Sequence, residues 1–177
     1  MSKADTRSPQ AVLNCAVLTI SDTRNADNDT SGDYLRDSLV AAGHRCLERA
    51  ISSGNLYHIR KVISDWIADE RINVILTNGG TGFSHNKSTA AAIMPLLDTN
   101  IAGFGELFRH LSWLEIGSST LQSDAFAGAA NETLIFCMPG STGACKTAWE
   151  KIIREQLDST HPPCNFATHF ARRARNA

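Results

Sequence analysis

Short apolar runs, each too brief to be a buried helix and too apolar to be a strand with one wet face, constrain this chain most. "LNCAVLTI" (13–20), "INVILT" (72–77) and "TLIFCM" (133–138) have this character, and "RCLERAI" (45–51) is a shorter, more polar companion. Near-continuous apolar strands are buried on both faces, which is the condition of a parallel sheet covered by helices. Helical patterns lie between them. After the first run, a helix capped by Thr30 or Ser31 places Tyr34, Leu35, Leu39 and Ala42 on one side and stops at Gly43. "LYHIRKVISDWIADE" repeats Leu56, Ile59, Ile63, Trp66 and Ile67 at helical spacing. A helix from about Ser88 is ended or kinked by Pro95. "NIAGFGELFRHLSW" reads as helix only late, because of its two early glycines. "GACKTAWEKIIREQL" turns Ala148, Trp149, Ile152 and Ile153 inward. "SSTLQSDAFAGAAN" and the stretch after Leu157 give no clear element.

The alternation predicts an α/β fold: a three-layer sandwich with a mostly parallel central sheet. The organisation expected is a mobile polar arm (1–11), a single domain (12–170) and a basic tail (171–177). A net charge of -1 gives no overall drive toward nucleic acid or a membrane surface. No apolar run approaches the ~20 residues of a membrane helix, and the N-terminus lacks a signal-peptide core. Five cysteines without a Cys-x-x-Cys pair read as thiols in a reducing compartment, so a cytoplasmic location is expected. No two of the six histidines stand at metal-ligand spacing with a cysteine or carboxylate, and no metal ligand is assigned.

In such sheets ligands bind beyond the carboxyl ends of the strands. Three loops should emerge there. Ser21 and Asp22 open the first; their commonest role is a turn and helix cap, and the functional alternative is contact with a metal-bound water or a base edge. Gly79, Gly80, Thr81 and Gly82 open the second. Glycines accept positive φ without steric penalty and can turn N–H groups onto one anion near a helix start. The pattern is neither the dinucleotide fingerprint nor the Walker loop, so alone it competes evenly with a plain tight turn. Ser88 and Thr89 nearby favour an anion. Pro139, Gly140 and Ser141 open the third loop, with Ser141 suited both to capping and to phosphate contact. Gly103, Gly105 and Glu106 make a further compact set, in which Glu106 could equally face solvent.

The motifs "LTISDTR", "NDTSGDYLRDSLVAAGH", "LTNGGTGF", "AGFGELFR", "EIGSSTLQSDAFAG", "MPGSTGACKTAWE" and "PCNFATH" together resemble the MoaB/MogA-type family of molybdenum cofactor biosynthesis, closest to its B branch, from about Asn14 to His169. The resemblance implies a homotrimer or homohexamer that binds molybdopterin, a pterin bearing a dithiolene and a phosphate. It implies, in catalytic members, ATP- and Mg²⁺-dependent adenylylation of that phosphate, and partnership with other cofactor-assembly proteins. Carried over, Gly79 to Gly82 with Ser88 and Thr89 belong to the phosphate loop, Ser21 and Asp22 to the nucleotide side, and Pro139, Gly140 and Ser141 to the pterin side. Gly105 and Glu106 are assigned with the binding residues, and Asp22 and Lys87 as the candidate catalytic pair.

The chain departs from the family pattern twice. Lys87 stands where the family keeps an aspartate, and "SSGN" (52–55) replaces one or two acids before a helix. Mg²⁺ takes oxygen ligands, usually including one or two carboxylates, and a lysine supplies none. Lys87 could neutralise a phosphate directly as a point charge. Three functions follow: an ATP-dependent molybdopterin adenylyltransferase, a non-catalytic molybdopterin-binding or carrier protein, and a structural partner in cofactor assembly. Asp27, Asp29, Asp98 and Asp124 are the candidate substitutes for the missing acids.

Overall fold

The structure, a computed structural model, describes residues 9–82 and 88–171. Lys87, and the outer parts of the arm and tail, lie outside the described residues. A six-stranded sheet runs in the order β2-β1-β3-β6-β5-β4. Its strands are β1 (Asn14–Ile20), β2 (Arg45–Ser52), β3 (Val74–Gly79), β4 (Thr99–Asn100), β5 (Phe126–Ala130) and β6 (Thr133–Met138). The first four in spatial order are parallel, and β5 and β4 continue the sheet antiparallel.

Helices cover both faces, and the period-2 alternation of the strands decides which residue meets which helix. Cys15, Val17, Val74, Leu76, Leu134, Phe136 and Met138 face one layer. There they meet α1 (Thr30–Ala41), α4 (Ala102–Ile116) and α5 (Thr142–Ala148) with its continuation through a π-helical stretch (Trp149–Ile153) into α6 (Arg154–Leu157). A last turn, α7 (Ala167–Phe170), adds Ala167 to this layer. Ala16, Leu18, Ile20, Ile75, Ile135 and Cys137 face the other layer, against α2 (Leu56–Ala68) and α3 (Thr89–Ile93). Leu35, Leu39, Ile59 and Ile63 are fully buried, each contributing about 2 kcal/mol of apolar transfer. The inward residues expected of the last helix, Ala148, Trp149, Ile152 and Ile153, are all buried.

Several local expectations are corrected. The N-cap of α1 is Asp29, whose side chain accepts from the Gly32 N–H, not Thr30 or Ser31. β3 runs two residues past Thr77, because Asn78 and Gly79 still pair with Thr19 and Ile20. α4 begins ahead of its glycines: a Cβ on Gly105 would lie 2.4 Å from the Ala125 carbonyl oxygen, so the glycine lets the helix close on β5. β5 itself, "FAGAA", has no β-branched residue. It pairs with β6 along its whole length, and Gly128 admits β4 on its other side, since a Cβ there would lie 2.6 Å from Thr99 O. Pro95 falls in a 3-10 turn (Met94–Leu96) that ends α3, as expected.

All five cysteines are free thiols; Cys15, Cys137 and Cys145 are buried, Cys46 is half-buried and Cys164 exposed. Burial pushes the Cys137 and Cys145 thiols up to about 12, so neither is a thiolate at neutral pH. No helix among the described residues is long and apolar enough to cross a membrane.

Candidate functional site

Parallel pairing brings the carboxyl ends of four strands to one edge: Ile20 lies opposite both Ser52 and Gly79, and Asn78 opposite Met138. The loops after β1, β2, β3 and β6 therefore leave side by side. At their centre is the glycine turn. Gly79 has φ +95 and Gly80 φ +62. A Cβ on Gly79 would lie 2.2 Å from Ile20 O, and one on Gly80 2.3 Å from Thr89 Oγ1 and 2.8 Å from Ile20 Cγ2. The third loop passes so close that a Cβ on Gly140 would sit 3.0 Å from Gly79 Cα. Gly82 differs: its φ is not left-handed and open space surrounds its missing Cβ. Of the three glycines read from sequence as one set, the backbone demands two.

Side chains tie the loops together. Thr89 is buried and its hydroxyl donates to Gly79 O at 2.8 Å. Ser88, also buried, donates through Oγ to Gly54 O. Asp22 Oδ1 accepts the Gly54 N–H at 2.9 Å, so Gly54 is held through its N–H by the first loop and through its carbonyl by the second. Ser21 Oγ accepts the N–H groups of Thr23 and Arg24, each at 3.2 Å, and its own N–H donates to Ser52 O at 2.9 Å. Asn55, next to Gly54, caps α2 through the N–H groups of Tyr57 and His58. At the third loop, Ser141 accepts from Ala144 N and caps α5, while Ser31 Oγ donates to Gly140 O at 2.9 Å. The starts of α1 and α5 thus meet, with Thr142 Oγ1 3.1 Å from the hydroxyls of both Thr30 and Ser31. Gly140 and Ser141 are exposed, Pro139 is half-buried and Thr81 is buried.

Behind the glycine turn runs a buried polar chain that the sequence reading missed. Asn78 Nδ2 donates to Thr19 Oγ1 (2.9 Å), and Thr19 Oγ1 donates to Asp29 Oδ2 (2.8 Å). Arg49 Nη2 donates to the same Asp29 oxygen (2.9 Å), and its Nη1 to Asp33 Oδ1 (2.6 Å). The Asp29 side chain is 1% exposed. Burial by itself would raise its pKa, but hydrogen bonds from Arg49, the Gly32 N–H and Thr19, with the Arg49 charge, hold it below the ordinary carboxylate value. Gly32 is required here, since a Cβ would lie 2.1 Å from Asp29 Oδ2. The available signals were a polar Asn78 closing an apolar strand and an acid three residues before Gly32.

Gly105 and Glu106 lie on α4 beside a separate cavity of about 220 Å³, lined among others by Met94, Asn100, Arg109 and Asp124. The pairing of Phe126 with Cys137 sets this cavity near the same sheet edge as the third loop, but no residue of the glycine turn lines it. Arg109 Nη1 donates to Ala125 O at 3.2 Å. Among the possible substitute acids, Asp29 is paired with Arg49, and Asp98 Oδ2 accepts the Asn131 N–H at 2.8 Å on the antiparallel side of the sheet. Asp27 is exposed on the first loop and Asp124 lines the second cavity. Among the described residues, no group of three or more His, Cys, Asp or Glu side chains is placed to hold a metal ion.

Comparison with known proteins shows the family and the fold. Residues 16–159 match a family model described as "Probable molybdopterin binding domain". Molybdenum cofactor biosynthesis protein B of Escherichia coli K12 is 54% identical over 155 residues, spanning 88% of this chain and 91% of that protein. A crystal structure of a molybdenum cofactor biosynthesis protein B superposes with a TM-score of 0.80 at 41% identity, covering 82% of this chain and 91% of the other. The tungsten cofactor synthesizing protein MoaB from Pyrococcus furiosus superposes with a TM-score of 0.70 at 29% identity, covering 80% and 90%.

Proposed function

The chain belongs to the MoaB/MogA family of molybdenum cofactor biosynthesis proteins, and on that premise we propose that it holds molybdopterin by its phosphate at the Gly79–Gly80 turn, with little or no adenylyl transfer of its own. The observation that carries the reading is the pair of consecutive glycines at positive φ, where Ile20 at the end of β1 and Gly140 of the third loop close on the turn. Backbone turned in this way presents N–H groups to an anion, and the close loops leave no room there for a side chain. Ser21 and Asp22 border the turn on one side, and Pro139, Gly140 and Ser141 on the other. Gly105 and Glu106, in their separate cavity, are the more distant part of the pterin side.

ATP and Mg²⁺ belong to the adenylylating members that this chain resembles. Mg²⁺ supplies neutralisation of phosphate charge during such a transfer. Among the described residues no group of three or more His, Cys, Asp or Glu side chains gathers to hold it: Asp29 is paired with Arg49, Asp22 Oδ1 accepts the Gly54 N–H, and Asp27 stands exposed on the first loop. The sequence places Lys87, outside the described residues, where an acid is expected, and Gly54-Asn55 adds none. Lys87 is suited to phosphate neutralisation, which supports binding without supporting turnover. The cytoplasm is the proposed location. Assembly into a homotrimer or homohexamer, in contact with other cofactor-assembly proteins, completes the reading. Exposed apolar side chains support the assembly: Leu107, Trp113, Leu114 and Ile116 of α4 and Leu121 of the turn after it.

Pyrophosphate release with molybdopterin and Mg-ATP tests the catalytic half. Native protein is expected to turn over roughly 10²-fold or more below a carboxylate-bearing relative assayed alongside, since a lost charge-stabilising group typically costs that much. Lys87→Asp, alone and with Gly54→Asp, should raise the rate. Native turnover as fast as the relative's would overturn the binding-only reading; no gain in either variant would show that the deficit lies elsewhere.

A further inference from the structure

We propose that Tyr57 is the stacking platform for a planar nitrogen heterocycle whose phosphate occupies the glycine turn; the inference rests on the phosphate reading above and adds the residue that recognises the ring. A single exposed aromatic side chain is ordinary on a protein surface. What sets Tyr57, 73% exposed, apart is how firmly its turn is fixed to the candidate site. Tyr57 lies in the first turn of α2, capped by Asn55 Oδ1, which accepts the Tyr57 N–H at 2.9 Å. The residue before the cap, Gly54, is gripped through its N–H by Asp22 from the first loop and through its carbonyl by Ser88 from the second. Tyr57 therefore lies three residues along the chain from Gly54, which both loops hold.

The ring is also braced. The Arg60 guanidinium carbon lies 5.8 Å from its centroid. Arg60 in turn donates through Nη2 to Ala91 O at 2.9 Å and through Nε to Ala92 O at 3.4 Å, on the short helix that follows the glycine turn. A cation on one side of an aromatic ring limits its motion, and an aromatic surface held in place binds planar bases with little ordering penalty and little sequence demand. The shared chemistry is a flat heteroaromatic ring joined to a phosphate, which either a purine nucleotide or a pterin phosphate provides.

The test titrates native protein, Tyr57→Ala and Tyr57→Phe with AMP, with a pterin monophosphate and with ribose 5-phosphate, which carries the anion without a heterocycle. Tyr57→Ala is expected to weaken at least one of the two heterocyclic ligands by roughly tenfold, in keeping with base–aromatic stacking, and to leave ribose 5-phosphate unchanged; Tyr57→Phe should bind as native. Loss confined to AMP assigns the platform to the nucleotide, and loss confined to the pterin phosphate assigns it to the pterin. Native-like affinity of Tyr57→Ala for both heterocycles overturns the proposal, as does a parallel loss of ribose 5-phosphate. Native protein that binds none of the three overturns the phosphate reading itself, and this inference with it.

Discussion

Arg49 keeps an ionised aspartate inside the protein, one strand away from the glycine turn. Removing the guanidinium leaves Asp29 buried without its counter-charge, so Arg49→Ala should lower stability by on the order of 3 kcal/mol at pH 7. The pH dependence follows from the sign of the shift. Asp29 has a depressed pKa in the folded protein, so its contribution is complete above the unfolded value near ~3.9 and disappears as pH falls through the folded value. Urea unfolding of Arg49→Ala and native protein should therefore converge in acid; a deficit independent of pH would show that the loss is one of packing. The glycines make a second test at this scale. Gly80→Ala must hold a side chain at φ +62 against Thr89 and Ile20, and should cost about 1–3 kcal/mol. Gly82→Ala meets open space and should change stability by less than ~0.5 kcal/mol in the same thermal melts. The sequence could not separate the two, because a Gly-Gly-Thr-Gly string carries no record of which position approaches another loop.

Elements were legible where one residue pattern decided them. β1, β3 and β6 announced themselves as apolar runs because each is buried on both faces, and α2 because its buried residues keep one side. β4 and β5 were illegible for the opposite reason. Two residues of β4 carry no pattern, and β5 after Phe126 is built of small residues that pair because β6 lies beside them. The glycines of α4 pointed away from helix, yet Gly105 is there for contact with Ala125 rather than for flexibility. The far end of α4 leaves Trp113 and Leu114 exposed at 56% and 72%. If this face joins subunits, Leu114→Glu should shift light-scattering mass from oligomer toward monomer without altering the far-ultraviolet circular dichroism. An unchanged mass would exclude α4 as the contact, and a monomeric native protein at micromolar concentration would remove the oligomer from the account.

At the scale of the whole molecule, the sheet order places the crossover of chain direction between β1 and β3, and the glycine turn lies at that opening. The loops named from the sequence do gather there. What the sequence left out is how they are supported: Thr19, Asp29, Arg49 and Asn78 pair with one another across 10 to 59 residues of chain, and Asp29 was read only as a possible substitute acid. Such contacts exist only once the strands have aligned, so no local pattern could reveal them. The central claim is that this turn holds the ligand's phosphate. Calorimetric titration of molybdopterin into native, Gly80→Ala and Gly82→Ala proteins, all confirmed folded, tests it most directly. The account expects native protein to bind, Gly82→Ala to follow it, and Gly80→Ala to lose most of its affinity; native-like binding by folded Gly80→Ala would contradict it.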